Sequence, residues 1–274
     1  MRRVRTWLLW VGGLLLSAHL WAADPTAPVS LPAPGSHAAG LTPGVITVID
    51  PVRSKPLKPV EVSYRGYPAV VMLDLLLEQR WRAPGTLVGF ETKDGYLSLV
   101  PSERLQKYPA YLVYERADGD AFSVEVPPLD HLVPLGPWYL VWNNVMNPDL
   151  RVDGATYWPY QVTGMKIMDA QSLQPLYPPM LPESYRRGAR LTQQYCLSCH
   201  QVNRVGGSKM PIDLAQWATG QSFARFATWV LDPSGKNPLT TMPALAVDRP
   251  AAERQMMARQ IYGYLRALGA LNNP

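Results

Sequence analysis

Prolines 175, 178, 179 and 182 fall within one stretch, AQSLQPLYPPMLPES at 170–184, and no single helix or strand can run through it. Each removes a backbone donor and pushes the residue before it out of the helical region. The chain of 274 residues should therefore divide there, leaving 92 residues after position 182. An earlier stretch, DPTAPVSLPAPGSHAAGLTPG at 24–44, is rich in Pro, Ala and Gly without periodicity and reads as a linker. The expected organisation is one unit over 45–170, a Pro-rich linker over 171–182 and a second unit over 183–274. With 47% of residues hydrophobic, both units can bury a core.

The two units carry different periodicities. In the first, GVITVID (44–50), TLVGFET (86–92), YLSLV (96–100), AYLVYER (110–116), WYLVW (138–142) and YQVTGMKIM (160–168) are rich in Val, Ile, Tyr and Trp. Turn residues bound them, as expected of strands, with Lys93-Asp94-Gly95 supplying one such turn. VVMLDLLLEQ (70–79) and PSERLQ (101–106) read as helical, so this unit is expected to be a mostly β, α+β domain. The second unit switches to helix lengths in ESYRRGARLTQQYC (183–196), QSFARFATWVLD (221–232) and DRPAAERQMMARQIYGYLRALG (248–269). Asp248 is the expected N-cap of the last of these and Gly269 its expected stop. An all-α unit is the expectation there.

The first 23 residues place Arg2, Arg3 and Arg5 before an apolar run from Trp7 to about Leu16, then small residues at Ala22 and Ala23. That is the layout of a secretory signal peptide, so export, with a periplasmic location, is expected. The alternative is an uncleaved anchor, but His19 interrupts the run and it falls short of the ~18 residues of a spanning helix. No later stretch is apolar enough to span, so no membrane span is expected in the mature chain. Residues 24–182 carry 12 Lys+Arg against 16 Asp+Glu, whereas residues 183–274 carry 11 against 5. A basic carboxyl-terminal face suits redox partner proteins with an acidic docking surface; mutual docking of the two units would explain the asymmetry equally. Nucleic acid is not an expected partner, because no cluster of Lys and Arg is interleaved with aromatics.

Both cysteines lie within five residues, Cys196-Leu197-Ser198-Cys199-His200. On one helical turn, two thiols at this spacing can each add to a vinyl group of a haem. The imidazole directly after them is then carried under the iron as an axial ligand. A redox dithiol would open a helix after a strand, whereas this motif closes one. Zinc would need four donors, and no further Cys or well-spaced His supplies them. A disulfide here would close too short a loop to stabilise much. For the second axial position the best-placed donor is Met242, before Pro243 in NPLTTMPAL. Met210 lies on the loop just after the motif, and Met256 and Met257 sit mid-helix, where packing is the simpler role.

With these residues in place, the last 92 residues resemble a class I monohaem cytochrome c. Gly188 before the motif, the motif itself, GGSKMP with Pro211, Met242-Pro243 and IYGYLRAL occur in family order. The resemblance implies one covalent haem c on Cys196 and Cys199, with His200 and Met242 as axial ligands. It also implies that the Pro211 carbonyl accepts the Nδ1–H of His200, and that Gly188 lets the first helix cross the last near Tyr264. Trp217 and Arg225 are candidates for propionate contacts, though each is as readily packing or surface.

Residues from about Val60 to Asp169 resemble the sulfite-oxidase-type molybdopterin-binding fold, through YRGYPAVVMLDLLL, VGFETKDGYLSLVPSERL, YLVYERADGDAF, LGPWYLVWNN and YWPYQVTGMKI. Enzymes of that fold bind molybdenum through a cysteine thiolate. Both cysteines here belong to the haem motif, so molybdopterin is not expected and the domain reads as a cofactor-free relative used for docking or positioning. His131, alone in a Pro-rich loop, reads as surface or as a ligand of last resort. Asp94 and Asp130 lack a visible acid–base partner. Tyr157 to Tyr160 read as core or as the lining of a cleft.

A periplasmic carrier of single electrons is therefore expected rather than a catalyst. The alternative is a haem-containing oxidoreductase whose middle domain binds a molybdopterin-type cofactor and oxidises a small molecule. A third reading is an assembly or sensing protein whose middle domain recruits a partner.

Overall fold

A computed structural model describes residues 27–35, 41–55, 57–126, 129–247 and 249–272. The expected signal segment and the Asp248 cap lie outside the described residues. The chain first forms β1 (Val29–Ser30), β2 (Gly44–Ile49), β3 (Glu61–Pro68), α1 (Ala69–Leu77), β4 (Leu87–Thr92), β5 (Leu97–Pro101) and α2 (Ser102–Lys107). Then come β6 (Ala110–Arg116), β7 (Ser123–Glu125), β8 (Leu132–Pro134), β9 (Tyr139–Trp142), β10 (Val162–Met168) and α3 (Ala170–Leu173). The remainder is α4 (Arg186–Tyr195), β11 (Gln201–Val202), β12 (Val205–Gly206), α5 (Leu214–Thr219), α6 (Phe223–Leu231), α7 (Pro233–Lys236) and α8 (Ala251–Asn272).

Two antiparallel four-stranded sheets, in the orders β1-β10-β4-β5 and β2-β3-β6-β9, share one apolar core with α1. In β2 the alternation places Ile46 and Val48 inside, as a half-buried strand requires. In α1, Ala69, Met72, Leu73 and Leu77 recur at helical spacing and close the core from above the strands. The fully buried carboxylate of Asp50 sits among them. It accepts the hydroxyl of Tyr64 at 2.5 Å, that of Tyr139 at 3.1 Å and the Val52 amide at 2.8 Å, with Arg53 at 3.7 Å. These partners are what make a buried charge tolerable.

The linker expected at 24–44 is in part sheet. Val29 and Ser30 pair with Met165 and Gly164, and the Trp138 indole donates to the Pro32 carbonyl at 2.9 Å. The Pro-rich break at 171–182 also packs: Leu176 is buried, and its carbonyl accepts the Tyr264 hydroxyl at 2.9 Å.

The expectation of a sulfite-oxidase-like sheet domain followed by an all-α cytochrome c domain does not hold. The chain is mixed α/β, rich in curled antiparallel sheet, with a carboxyl-terminal helix. Immediately after the cysteine motif, β11 and β12 pair antiparallel, Val202 against Val205, and Gln201 bridges in parallel to Asp213. Asn203 and Arg204 both take positive φ, 51° and 66°, which is the two-residue hairpin geometry. Asn at the first position hints at it; Arg at the second gives no signal. The core beneath the later helices also draws on Leu97 of β5, Met168 of β10 and Leu176, so it is not the property of a separate helical unit.

Helix α8 organises this second core through Met257, Ala258, Ile261, Tyr264, Leu265 and Leu268, which form one stripe. It runs past Gly269, the expected stop, because that glycine serves close packing: a Cβ there would strike the Ala215 carbonyl of α5. Gly188 of α4 is placed likewise, and a Cβ there would collide with the Gln260 carbonyl and come within 2.7 Å of Tyr264 Cβ. Among the described residues no helix is long and apolar enough to cross a membrane. Gly188→Ala should push α4 off α8 and lower unfolding stability by about 1–3 kcal/mol, the usual cost of overpacking, measurable by urea denaturation.

Candidate functional site

The motif is a single turn appended to α4. The Cys196 amide donates to the Thr192 carbonyl at 2.9 Å, and the amides of Cys199 and His200 both return to the Cys196 carbonyl, at 3.2 and 3.0 Å. Leu197 is fully buried and anchors the turn in the second core. Behind it run two glycines. Side chains at either would strike the carbonyls of the motif, Gly206 that of His200 and Gly207 that of Ser198, and the Gly207 amide donates to the Leu197 carbonyl at 2.7 Å. The turn is thus held by backbone contacts from both sides, leaving its side chains free for other work.

Both cysteines are free thiols. Burial, and then the neighbouring Cys199, push the Cys196 thiol up to about 12; burial raises Cys199 as well. Burial thus works against a free, reactive thiolate at either position. Burial lowers the pKa of His200, so its imidazole is held neutral. Its Nδ1 is buried with no hydrogen-bond partner. The bond expected from the Pro211 carbonyl is therefore not made, and Pro211 itself is exposed.

Met242 lies half-buried on the same apolar cluster that Cys196 borders, with Trp217, Phe223 and Tyr262 on its edge. Its loop is fixed at both ends. The Met242 amide donates to Thr240 Oγ1 at 3.1 Å, the Leu245 amide to the Val230 carbonyl at 2.8 Å, and Arg254 holds the carbonyls of Leu245 and Leu231 at 2.7 and 2.8 Å. Leu239, on the Met242 loop, is 78% exposed, and Met210 and Ile212, just after the motif, are 45% and 40% exposed.

The other candidates disperse. His131 is exposed on the β7–β8 hairpin beside Asp130, at 3.2 Å. Met256 is exposed and Met257 is core. Trp217 packs on Phe226, and Arg225 is on the outer face of α6. Trp158 is core, whereas Tyr157 lines a cleft of about 300 Å³ with Leu99, Arg190 and Gln193, between β5 and α4. Asp94, unpartnered in the sequence, pairs with Lys209 at 2.8 Å across 115 positions, a contact no local pattern signals.

A covalent haem would need two thiols free to become thioethers, an imidazole beside them, and an apolar surround. Cys196, Cys199 and His200 meet the first two and the Met242 cluster the third. Among the described residues no three His, Cys, Asp or Glu side chains gather as a metal-binding group.

The depressed His200 pKa has a consequence in acid. The unfolded chain takes up a proton near the ordinary value of 6.5 while the folded chain resists it. Between that value and the lower folded one the unfolded state binds more protons, so stability is full above pH 6.5 and falls as pH drops below it. Urea titrations of the haem-free chain at pH 7.5 and 5.5 should show this loss, and His200→Gln should remove its share of it. Compared with known proteins, the chain matches no family model and no curated protein.

Proposed function

We propose that the chain is an exported carrier of single electrons, with one haem held covalently by Cys196 and Cys199 as thioethers and ligated by His200 and Met242. The observation that carries this reading is the Cys196–His200 turn at the end of α4, where two free thiols and an imidazole share one turn bordering the apolar cluster on which Met242 lies. When bound, the haem supplies a reversible one-electron iron couple. The chain's own residues set its surroundings: the apolar cluster under Met242 keeps water from the metal, and a thioether on that side favours the reduced iron. Held by both His200 and Met242, such a group would keep no open position for a substrate.

Export by the first 23 residues to the periplasm, where haem attachment of this kind takes place, belongs to the same reading. So does the acidic redox partner. Arg225, Lys236, Arg259 and Arg266 are exposed on α6, α7 and α8, and such a surface favours fast, salt-sensitive encounter over tight binding. The sheet domain docks or positions the motif and does not carry a metal of its own.

Coexpressed with a haem-attachment apparatus, the protein should keep its colour after denaturation and acid–acetone extraction, and Cys196→Ser/Cys199→Ser should lose it. Metal analysis should give iron without molybdenum; equimolar molybdenum would instead make the sheet domain catalytic. Met242→Ala should abolish the thioether–iron absorption band at the red end of the oxidised spectrum and lower the midpoint potential. An unchanged spectrum would reassign the ligand to Met210 or His131.

A further inference from the structure

The turn between β4 and β5, Lys93-Asp94-Gly95-Tyr96, reaches out of its sheet and closes on the cysteine motif. Four sets of contacts meet there. The Leu97 amide donates to the Ser198 carbonyl at 2.8 Å, in the middle of the motif. The Gly95 carbonyl accepts the amides of Ser208 and Lys209 at 2.8 and 3.1 Å, just beyond it. Tyr96 is half-buried, with its hydroxyl hydrogen-bonded to Ser198. Asp94 holds Lys209 at 2.8 Å, and its other oxygen accepts Thr92 Oγ1 at 2.6 Å and the Tyr96 amide at 3.2 Å, fixing the turn itself.

The fit is closest at two glycines, beside an open cleft of about 570 Å³ lined by Asp94, Tyr96, Gly206 and Ser208. Gly95 has φ of +83°, and a Cβ there would sit 2.7 Å from Ser208 Oγ and 2.9 Å from the Lys209 amide. Facing it, a Cβ on Gly207 would collide with the Ser198 carbonyl and stand 2.9 Å from the Gly95 carbonyl. Leu97, next along β5, enters the core beneath the motif beside Leu197. Lys209 and Tyr96 both stand near Cys199.

We infer that this hairpin is a positioning clasp: the sheet domain holds the Cys196–His200 turn in one shape and shields its Cys199 side, so that the thiols are presented for attachment in a fixed arrangement. Asp94, Gly95 and Tyr96 are thereby positioning residues rather than members of a catalytic or cofactor site. The inference deepens the haem-attachment reading and rests on it for its purpose, but the clasp itself is a property of the polypeptide. It gives the sheet domain a definite task without requiring that domain to bind anything.

Thiol alkylation of the full-length, haem-free, reduced chain tests the clasp without any haem. Gly95→Ala should raise the maleimide labelling rate of Cys199 at least tenfold, read by mass spectrometry. The control is Gly119→Ala, whose φ of +81° imposes the same backbone strain but whose Cβ would meet nothing within 4 Å; it should label as wild type. Asp94→Ala, which removes the ion pair and the turn bonds together, should raise the rate several-fold and decides the matter if Gly95→Ala does not accumulate. Asp94→Asn should recover part of the protection. With the attachment apparatus present, the variants that label fast should carry at least threefold less covalent haem than the control. Wild-type labelling in Asp94→Ala, or equal acceleration in Gly119→Ala, would overturn the clasp. Should the labelling differences stand while wild-type chain takes up no haem, the clasp holds and the haem reading falls.

Discussion

A backbone hydrogen bond from the Leu97 amide to the Ser198 carbonyl joins the two halves of the chain at the point where all their chemistry lies. A strand amide normally spends itself on a neighbouring strand, and β5 has β4 on one side only. Its other edge would be an unpaired row of donors and acceptors, which natural sheets cover or block. Here the cysteine turn does the covering at Leu97. One bond thus satisfies an edge donor of the sheet and a carbonyl of the motif, and neither half would be complete without the other. The tenancy of Leu97 in the second core follows from the same placement.

Much of the sheet was legible, because its strands alternate or run apolar and end at turn residues. Strand β3 was not, since Arg65 and Gly66 interrupt the pattern at a bulge, and Gly66 is needed where the Leu112 backbone comes too close for a side chain. The helices α4, α6 and α8 were visible in their lengths and periodicity; α5 was too short to register. The error of class arose at Val202 to Val205, where two β-branched residues flank a turn whose second residue, Arg204, hides the hairpin. It arose again at the prolines of 175–182, which do break secondary structure but do not release the chain: Leu176 is pinned under Tyr264. Breaking an element and separating two domains are different physical acts, and composition reports only the first.

For the site, the motif was legible as residues and not as an environment. Spacing places Cys196, Cys199 and His200 on one turn, because the chemistry is local in sequence. The contacts of Asp94 with Lys209 and of Leu97 with Ser198 join segments about a hundred residues apart, which spacing does not encode. The charge asymmetry divides in the same way. Part of it is the exposed basic face of α6 to α8, and part is consumed between the halves, where Lys209 meets Asp94.

The turn concentrates costs that a chain selected for stability alone would avoid. A buried ring nitrogen without a partner is worth about 1–3 kcal/mol against folding. Exposed Met210 and Ile212, just beyond the turn, forgo burial that apolar side chains ordinarily gain. Such expenses persist only where the surroundings over-determine the conformation, and they gather where something must bind. The glycines at 95, 206 and 207, each required by a close backbone approach, supply that over-determination. A rigid cradle is the part of such an arrangement that the backbone alone supplies: it fixes where the thiols and the imidazole stand before anything meets them.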